Sequence, residues 1–276
     1  TYQEIFQFYL FYFTPRLLPY PFQAVSAWSS SLREDIFISG AAAQVAGQEF
    51  ADFVIGILDP GLQKLRCAHD KARGTESALD SGLINQYSTV YCNGVYNYFK
   101  DYHPRCTRHG HSGNIDVVTA IKWSCNIFFY DVGRRLTSDV YDAYAYKLGL
   151  GQRTGVEVSE AVGRLTTKSD SNYMASLDVQ AAIGQGNTVV SPIQLATYAA
   201  TLANNGTRYR THFVKAILDT NTGEVLSETK PEVMDVIEGT GDTFDLVRQG
   251  MIGVSETMSG LKNYPVTIAC KTGTPQ

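Results

Sequence analysis

The sequence predicts an α+β fold in which an antiparallel sheet is flanked by helices. Three helix signals lie within residues 114–206, and a strand–turn–strand pattern follows at 212–226. The two kinds of element occupy separate stretches and do not alternate as a parallel βαβ sheet requires. Residues 1–76 keep neither a helical nor a strand period, so the chain divides into an unassigned segment, 1–76, and a domain, 77–276.

Two helices are predicted from apolar residues spaced three and four positions apart. The first has Asn114 as its N-cap and Asp116 in its first turn, and its apolar face comprises Ile115, Val118 and Ile121. The second begins at Ser138 and ends at Gly149, and its apolar face comprises Val140, Tyr144 and Leu148.

A third helix has the strongest start signal in the chain. Ser191 can cap it, Pro192 suits its first position, and Gln194 can complete a capping box. The helix ends at Asn204-Asn205-Gly206. Its apolar stripe comprises Leu195, Tyr198, Ala199 and Leu202.

Two β segments follow the third helix. Apolar residues flank the turn Asn221-Thr222-Gly223, which predicts a β-hairpin over 212–226. Residues 266–270 predict a strand that leads into Lys271-Thr272-Gly273-Thr274.

The composition is that of a globular protein, with 276 residues, 44% hydrophobic, 18% charged and a formal net charge of −4. That charge argues against a nucleic-acid backbone as the main partner.

The five cysteines include no C-x-x-C pair, which argues against a zinc knuckle and a dense disulfide framework. Two alternatives remain for these cysteines: one disulfide, such as Cys92–Cys106, or free thiols only. The aromatic stretch 6–18 is too short and too interrupted for a membrane span. The chain begins with Thr1 and ends in Lys-Thr-Gly-Thr-Pro-Gln, so we expect a fragment truncated at its C-terminus.

Two short motifs contain the residues best suited to chemistry. Ser124-Cys125-Asn126 says little alone, since Ser112-Gly113-Asn114 repeats its pattern, but Lys271-Thr272-Gly273-Thr274 should occur by chance in under about 1% of such chains. Acyl transfer through a serine needs a nucleophile, a proton carrier and donors for the developing oxyanion. A serine and a lysine in one cleft can pass a proton to the leaving amine, and an asparagine amide can hold a peptide group. A strand ending in Thr-Gly-Thr can pair with an extended peptide, because glycine permits close approach.

The motifs S-x-x-K, S-D-N and K-T-G together mark penicillin-binding proteins and class A β-lactamases, and Ser124-Cys125-Asn126 and Lys271-Thr272-Gly273 resemble the second and third. Over about residues 77–276 the sequence resembles class B penicillin-binding proteins, the monofunctional elongation and division transpeptidases. The two motifs lie 147 residues apart in the expected order. Further similar segments are 78–84, 91–96, 148–151, 154–156, 182–186, 191–196 and 203–206.

The resemblance implies a transpeptidase/β-lactamase-like fold and a serine acyl transfer that cross-links peptidoglycan stem peptides. It makes Ser124 the proton-shuttling hydroxyl, Asn126 the clamp on the substrate amide, and Lys271 the third catalytic residue. The residues it assigns to substrate binding are Thr272, Gly273 and Thr274. It also implies β-lactams as ligands, elongation or division proteins as partners, no metal or organic cofactor, and a membrane-anchored parent with this domain outside the cytoplasm.

The S-x-x-K nucleophile motif of the family is missing from its expected place upstream of Ala78. Pro60-Gly61 resembles the dipeptide that often precedes it, but Leu62 and Leu65 stand at the serine and lysine positions. S-x-x-K matches at 227–230 and 259–262 follow the second motif, in the wrong order. Without a nucleophile acylation is not expected, so the chain is predicted to be inactive. Residues 1–76 are then a mistranslated stretch, a degenerate segment of an inactive paralogue, or a native segment with the nucleophile elsewhere.

Three other functions are weighed against this one. A serine β-lactamase would share the fold but would need a deacylating base. A non-catalytic scaffold would bind peptide or cell-wall proteins without reacting, and the missing nucleophile supports it. A metal site could be drawn from Cys92, Cys106, His103, His109 and His111, although their spacing is unusual for structural zinc and a polar surface loop explains them as well.

Overall fold

The structure, a computed structural model, describes residues 69–106, 110–239, 241–262 and 267–272. Most of the unassigned segment 1–76 therefore lies outside the described residues. Of the two compact units in the chain, one contains residues 212–231 and the other contains the remaining described residues.

Helices and antiparallel strands occupy separate stretches, which confirms the predicted α+β class. The helices are α1 (His69–Asp80), α2 (Val117–Lys122), α3 (Asn126–Lys147), α4 (Ala175–Ala181), α5 (Pro192–Ala203) and α6 (Thr243–Glu256). The strands are β1 (Val90–Cys92), β2 (Gly113–Ile115), β3 (Thr207–Tyr209), β4 (Ala216–Leu218), β5 (Val225–Glu228) and β6 (Val233–Val236). The described strands form three antiparallel pairs, β1–β2, β3–β6 and β4–β5.

The first predicted helix starts later than its apolar spacing suggested. Asp116, not Asn114, is the N-cap of α2, and its carboxylate accepts a hydrogen bond from Thr119 N at 2.7 Å. Asn114 and Ile115 lie in β2 instead, where Ile115 pairs with Val90 of β1. Tertiary pairing with β1 thus overrides the local helical pattern at these two residues.

The second predicted helix is the latter half of a longer one. Helix α3 runs from Asn126 to Lys147 with one interruption at Thr137, whose φ of 64° and ψ of 156° are not helical. The predicted start, Ser138, directly follows this interruption. The predicted end is confirmed, because Leu148 caps the helix and Gly149 follows with a φ of 90°.

The capping box of α5 is confirmed. Ser191 Oγ accepts from Gln194 N at 3.3 Å, and Gln194 Oε1 accepts from Ser191 N at 2.9 Å. The same glutamine is fully buried, and its Nε2 donates to the carbonyls of Gln152 and Val162. Asn204 and Gly206 end the helix as predicted.

The hairpin predicted over 212–226 is also confirmed. Strands β4 and β5 pair antiparallel, with Ala216 opposite Glu228. Asp219 closes the turn between them, because its carboxylate accepts from the backbone N–H groups of Asn221 and Thr222 at 2.8 and 2.9 Å.

The strand predicted over 266–270 is not formed in the part that the structure describes, residues 267–272. Cys270 N donates to the carbonyl of Met251 at 3.1 Å, so α6 and not a neighbouring strand supplies the backbone partner.

The helices position the site by packing around α1. Helix α1, which crosses the predicted boundary between residues 76 and 77, packs against α3 and α6, while α6 also packs against α2. Gly250 of α6 permits this last contact, since a Cβ there would lie 2.6 Å from Ile121 Cβ. Among the described residues, no helix is both long and apolar enough to cross a bilayer.

Candidate functional site

Ser124 lies in the turn between α2 and α3 and has a left-handed backbone, with a φ of 55°. This conformation closes α2: Ser124 N donates to Ile121 O, and Cys125 N donates to Ala120 O at 2.9 Å. A left-handed φ at a residue other than glycine costs about 1–2 kcal/mol, so the surrounding packing holds the serine in place. Cys125 is then the N-cap of α3 and Asn126 its first residue.

Lys71 reaches this turn from α1. Its Nζ donates to Ser124 Oγ at 2.8 Å, to Ser124 O at 2.8 Å and to Asn126 Oδ1 at 2.5 Å. The side chain is buried, and its Nζ lies 5.6 Å from the centre of the Phe129 ring. Three polar acceptors and an aromatic face thus surround one buried amine.

Lys271 approaches the same hydroxyl from the other end of the chain. Its Nζ donates to Ser124 Oγ at 3.0 Å and to Thr272 O at 3.2 Å, and its side chain is fully buried. The structure therefore brings together the predicted residues Ser124, Asn126 and Lys271. Thr272 is exposed beside them, and the predicted residues Gly273 and Thr274 lie outside the described residues.

The electrostatics of the site bring the pKa of Lys71 close to neutral pH. Burial is the main cause that lowers the pKa of Lys71 from 10.5 to about 7, and the charge of Lys271 lowers it further. Thiolates at Cys106 and Cys125 would oppose this shift. At neutral pH a substantial fraction of Lys71 is unprotonated, and an unprotonated amine can take a proton from a neighbouring hydroxyl.

The amide of Asn126 is oriented by two partners. Its Oδ1 accepts from Lys71, and its Nδ2 donates to Arg105 O at 3.1 Å. Because one amide edge faces the lysine and the other faces a backbone carbonyl, the orientation of the side chain is fixed.

The lysine of the S-x-x-K motif corresponds to Lys71 and not to position 65, where it was expected. The pattern Ala68-His69-Asp70-Lys71 differs from S-x-x-K only in its first residue, and it lies shortly before Ala78, where the motif was expected. An alanine in place of the serine hid it from a motif search. Ala68 itself lies outside the described residues.

A second cluster lies directly beside this site. The side-chain ligand atoms of Cys92, Cys106, His111 and Cys125 all lie within 4.8 Å of one another, and Cys106 Sγ is 3.4 Å from His111 Nε2. The three thiols are buried and His111 is half-buried. The described cysteines form no disulfide with one another. The polar surface loop offered for these residues is therefore wrong for Cys92 and Cys106.

The donor set of this cluster fits zinc. Three thiolates and one imidazole are a donor set that would hold a structural zinc ion. Without a metal, the pKa of Cys125 is raised, first by a hydrogen bond with Cys106 and then by burial, and burial raises the pKa of Cys92. A bound cation removes this penalty, because it stabilises the thiolate form. His109 lies outside the described residues, and His103 is not part of the cluster.

A family model for the penicillin binding protein transpeptidase domain matches residues 71–276, starting at Lys71. The chain belongs to the penicillin-binding protein transpeptidase family. Members of this family are serine-type peptidoglycan D,D-transpeptidases, and the predicted family is thereby confirmed.

Individual members of the family agree with a class B assignment. Peptidoglycan D,D-transpeptidase MrdA of Acinetobacter baumannii is 28% identical over 210 residues, which cover 72% of this chain and 31% of the relative. Penicillin-binding protein 2A of Bacillus subtilis is 29% identical over 188 residues, which cover 59% of this chain and 26% of the relative. The chain thus spans about a third or less of the length of these relatives.

Solved structures confirm the transpeptidase-like fold. Pseudomonas aeruginosa PBP2 in complex with WCK 5153 aligns with a TM-score of 0.66 and 25% identity, over 76% of this chain and 49% of that chain. A structure on the coordination of polymerization and crosslinking by a peptidoglycan synthase complex aligns with a TM-score of 0.66 and 27% identity, over 75% of this chain and 36% of that chain.

Proposed function

We propose that this domain binds the D-Ala-D-Ala end of peptidoglycan stem peptides, and β-lactams, without forming the acyl-enzyme of its family. One observation carries the proposal: Lys71 and Lys271 converge on Ser124 Oγ at 2.8 and 3.0 Å, whereas the third residue before Lys71 is Ala68. In an S-x-x-K motif that position holds the attacking serine. A methyl group has no lone pair with which to attack a carbonyl, so the cleft can bind but not acylate.

The remaining side chains suit peptide binding. Asn126 presents an oriented amide for a substrate peptide group, and Lys271 with the exposed Thr272 offers a cation and a hydroxyl for a carboxylate. The family motif assigns Gly273 and Thr274 to the same half of the proposed site. Ser124 and Lys71 provide the proton path that an added serine would use.

The first experiment compares the wild-type chain with Ala68→Ser after incubation with benzylpenicillin, by intact-mass spectrometry. The wild type should gain no adduct, and Ala68→Ser should gain one penicillin on residue 68. In that variant Lys71 takes the serine proton, the serine oxygen bonds to the lactam carbonyl, and the lactam nitrogen leaves with a proton passed through Ser124. The control Ala68→Ser/Lys71→Met should stay unmodified, because it has the serine but no base.

Calorimetry with a D-Ala-D-Ala peptide tests the binding half of the proposal. Reversible binding by the folded wild type is the expected result. A covalent penicillin adduct on the wild type would sink the inactivity claim. Absence of any peptide binding would leave only a scaffold that contacts cell-wall proteins, and rapid penicillin turnover by Ala68→Ser would favour the serine β-lactamase.

A second function, a structural zinc centre, is favoured by the convergence of Cys92, Cys106, His111 and Cys125. Zinc there would tie β1, the segment around Cys106 and the start of α3 together. Metal analysis should find about one zinc per chain, and Cys92→Ser should lose it together with part of the thermal stability. Cys270→Ser is the matched control, since Cys270 is not in the cluster. A chain that is folded and free of zinc after growth with zinc would contradict this function.

We also propose a setting for the domain by similarity to its relatives. We place it on the outer side of the cell membrane, in contact with proteins of cell-wall elongation or division. MrdA of Acinetobacter baumannii and the peptidoglycan synthase complex support this placement by similarity. Chemical cross-linking of the full-length protein in membranes, followed by its purification and identification of the cross-linked proteins, would test this placement.

A further inference from the structure

We propose that Cys106 and Cys125 form a disulfide when the cluster holds no metal, and that this disulfide displaces Ser124 and Asn126 and weakens the ligand cleft. The proposal rests on the zinc centre and on the ligand cleft of the proposed function. It adds a modification site and a chemical class of reagent, a low-molecular-weight disulfide.

The cluster and the cleft share one stretch of backbone. Cys125 lies between Ser124 and Asn126, the two residues that accept hydrogen bonds from Lys71. Any shift of the Cys125 backbone therefore moves both acceptors. The left-handed turn at Ser124 cannot readily accommodate such a backbone shift, because its φ of 55° is already energetically unfavourable.

Cys106 is connected to the cleft by a second route. The preceding carbonyl, Arg105 O, accepts from Asn126 Nδ2 at 3.1 Å and from the Tyr130 hydroxyl at 3.4 Å. The Cys106 backbone is anchored on its other side, where its N–H donates to Gly94 O at 3.0 Å. Cys106 and Cys125 thus flank the amide of Asn126 from two chain segments.

The choice of these two thiols follows from the strand that holds the third. The thiols of Cys92, Cys106 and Cys125 are all hydrogen-bonded within the cluster. Cys92 is the last residue of β1, where it pairs with Gly113 of β2, whereas Cys106 and Cys125 lie outside the helices and strands. A bond between Cys106 and Cys125 therefore leaves the β1–β2 pairing intact.

Metal and disulfide exclude each other because both use the same sulfur atoms. In the oxidation the two thiols lose two protons and two electrons and form one S–S bond, while the small disulfide takes them up and becomes two thiols. Sulfur atoms about 3.8 Å apart around zinc must close to about 2.0 Å in a disulfide. A movement of this size displaces the neighbouring groups of the cleft, and a misplacement of about 1 Å can cost an active site about 100-fold in rate.

A cavity borders the cluster at His111. It has a volume of about 580 Å³ and is lined by His111, Trp123 and neighbouring residues of β2 and α2. His111 belongs to both the cavity wall and the cluster, whereas the thiols behind it are buried. The cavity therefore brings a small reagent to one edge of the cluster.

The experiment compares the full chain in three states: zinc-loaded, stripped of zinc with a chelator, and stripped and then treated with oxidised glutathione. Intact mass and peptide mapping locate the disulfide. Hydrogen exchange of residues 121–129 reports on the turn independently of any ligand, and the β4–β5 hairpin serves as an internal reference. Benzylpenicillin affinity reports on the cleft.

The treated, stripped protein should lose two hydrogens in mass and map a Cys106–Cys125 bond, and the zinc-loaded protein should react at least tenfold more slowly. Exchange at 121–129 should rise at least tenfold in the oxidised state, with the hairpin unchanged, and penicillin affinity should fall at least tenfold. Cys270→Ser should behave like the wild type, whereas Cys106→Ser and Cys125→Ser should form no such bond.

A disulfide that maps to another pair, or one that leaves exchange at 121–129 unchanged, overturns the proposal. Zinc bound at one per chain with no disulfide after stripping also overturns it and leaves the zinc centre standing. A Cys106–Cys125 bond with faster exchange in a protein that never binds zinc supports the disulfide and removes the zinc centre. Faster exchange without penicillin binding in any state supports the displacement and removes the ligand function.

Discussion

Lys71 and Lys271 donate hydrogen bonds to the same oxygen, Ser124 Oγ, at 2.8 and 3.0 Å, although 200 residues separate them. Two buried amines so close to one acceptor cannot both carry a full charge cheaply, because each lowers the stability of the other's ammonium form. The protonation state of the pair therefore changes when the domain folds.

Lys71→Met should remove part of the pH dependence of stability above neutral pH. The folded-state pKa of Lys71, about 7, is below its ordinary value of 10.5, so between these values the unfolded chain binds more protons. The free energy of unfolding should therefore rise with pH, by about 2 kcal/mol from pH 7 to 9. Lys271 and the thiols of Cys106 and Cys125 also face this amine, so chemical denaturation is measured with and without zinc.

The exposed Lys100→Met is the matched control for that measurement and should keep the wild-type pH dependence. Equal slopes for the wild type and Lys71→Met between pH 7 and 9 would show that burial does not shift this lysine.

Asn126→Ala should weaken reversible binding of a D-Ala-D-Ala peptide about tenfold. The change removes both the acceptor of Lys71 and the group that Arg105 O holds in place. A hydrogen bond between neutral groups contributes about 0.5–1.5 kcal/mol, and a buried group left without its partner costs about 1–3 kcal/mol, so a change of about tenfold is expected. Isothermal titration calorimetry measures it.

The control for this variant is Asn172→Ala, which removes an amide that bonds to Asn187 outside the site. It should leave peptide affinity within twofold of the wild type. Equal losses in the two variants would indicate a general effect on folding and not a role for Asn126 in the cleft.

Gly133→Ala should destabilise the domain by about 1–3 kcal/mol, although alanine favours helices over glycine. A Cβ at Gly133 would lie 2.3 Å from Ala182 Cβ and 3.0 Å from Asp178 O, so α3 and α4 would have to separate. Urea denaturation measures the loss. Gly260→Ala, where an added Cβ meets nothing within 4 Å, should change stability by less than about 0.5 kcal/mol.

A second substitution distinguishes the clash from a loss of flexibility. Ala182→Gly in the Gly133→Ala background should recover part of the lost stability, because it removes the facing methyl group. If the double variant is no more stable than Gly133→Ala, the loss of stability does not come from contact with the Ala182 methyl group.

Gln194→Ala should destabilise the domain by about 3 kcal/mol, more than an ordinary capping residue. Its fully buried side chain accepts from Ser191 N and also donates to Gln152 O and Val162 O, two contacts that are partly buried. Truncation leaves these groups without their partner, each at a cost of about 1 kcal/mol or more. Ser191→Ala, which removes only the cap acceptor, should cost about 1 kcal/mol in the same denaturation experiment. A smaller loss for Gln194→Ala than for Ser191→Ala would contradict the bridging role.

The sequence by itself determined those features whose physics is local. The capping box at Ser191, the turn at Asp219–Gly223 and the end of α5 at Gly206 depend on residues within a few positions of one another, and all three form as predicted. Local pattern was insufficient where a distant partner competes, as at Ile115, which pairs with β1 and does not join α2.

The sequence alone indicated only part of the candidate site. Ser124, Asn126 and Lys271 were identifiable from their motifs, but Lys71 was not, because Ala68 breaks the pattern that marks it. Only the packing of α1 against α3 brings Lys71 to Ser124 and Asn126, more than 50 residues away. The cluster of Cys92, Cys106, His111 and Cys125 was likewise decided by tertiary structure, since no sequence spacing fixes how β1 and the start of α3 meet. Side chains far apart along the chain acquire a common chemistry only when burial of apolar surface fixes the positions of the elements that hold them.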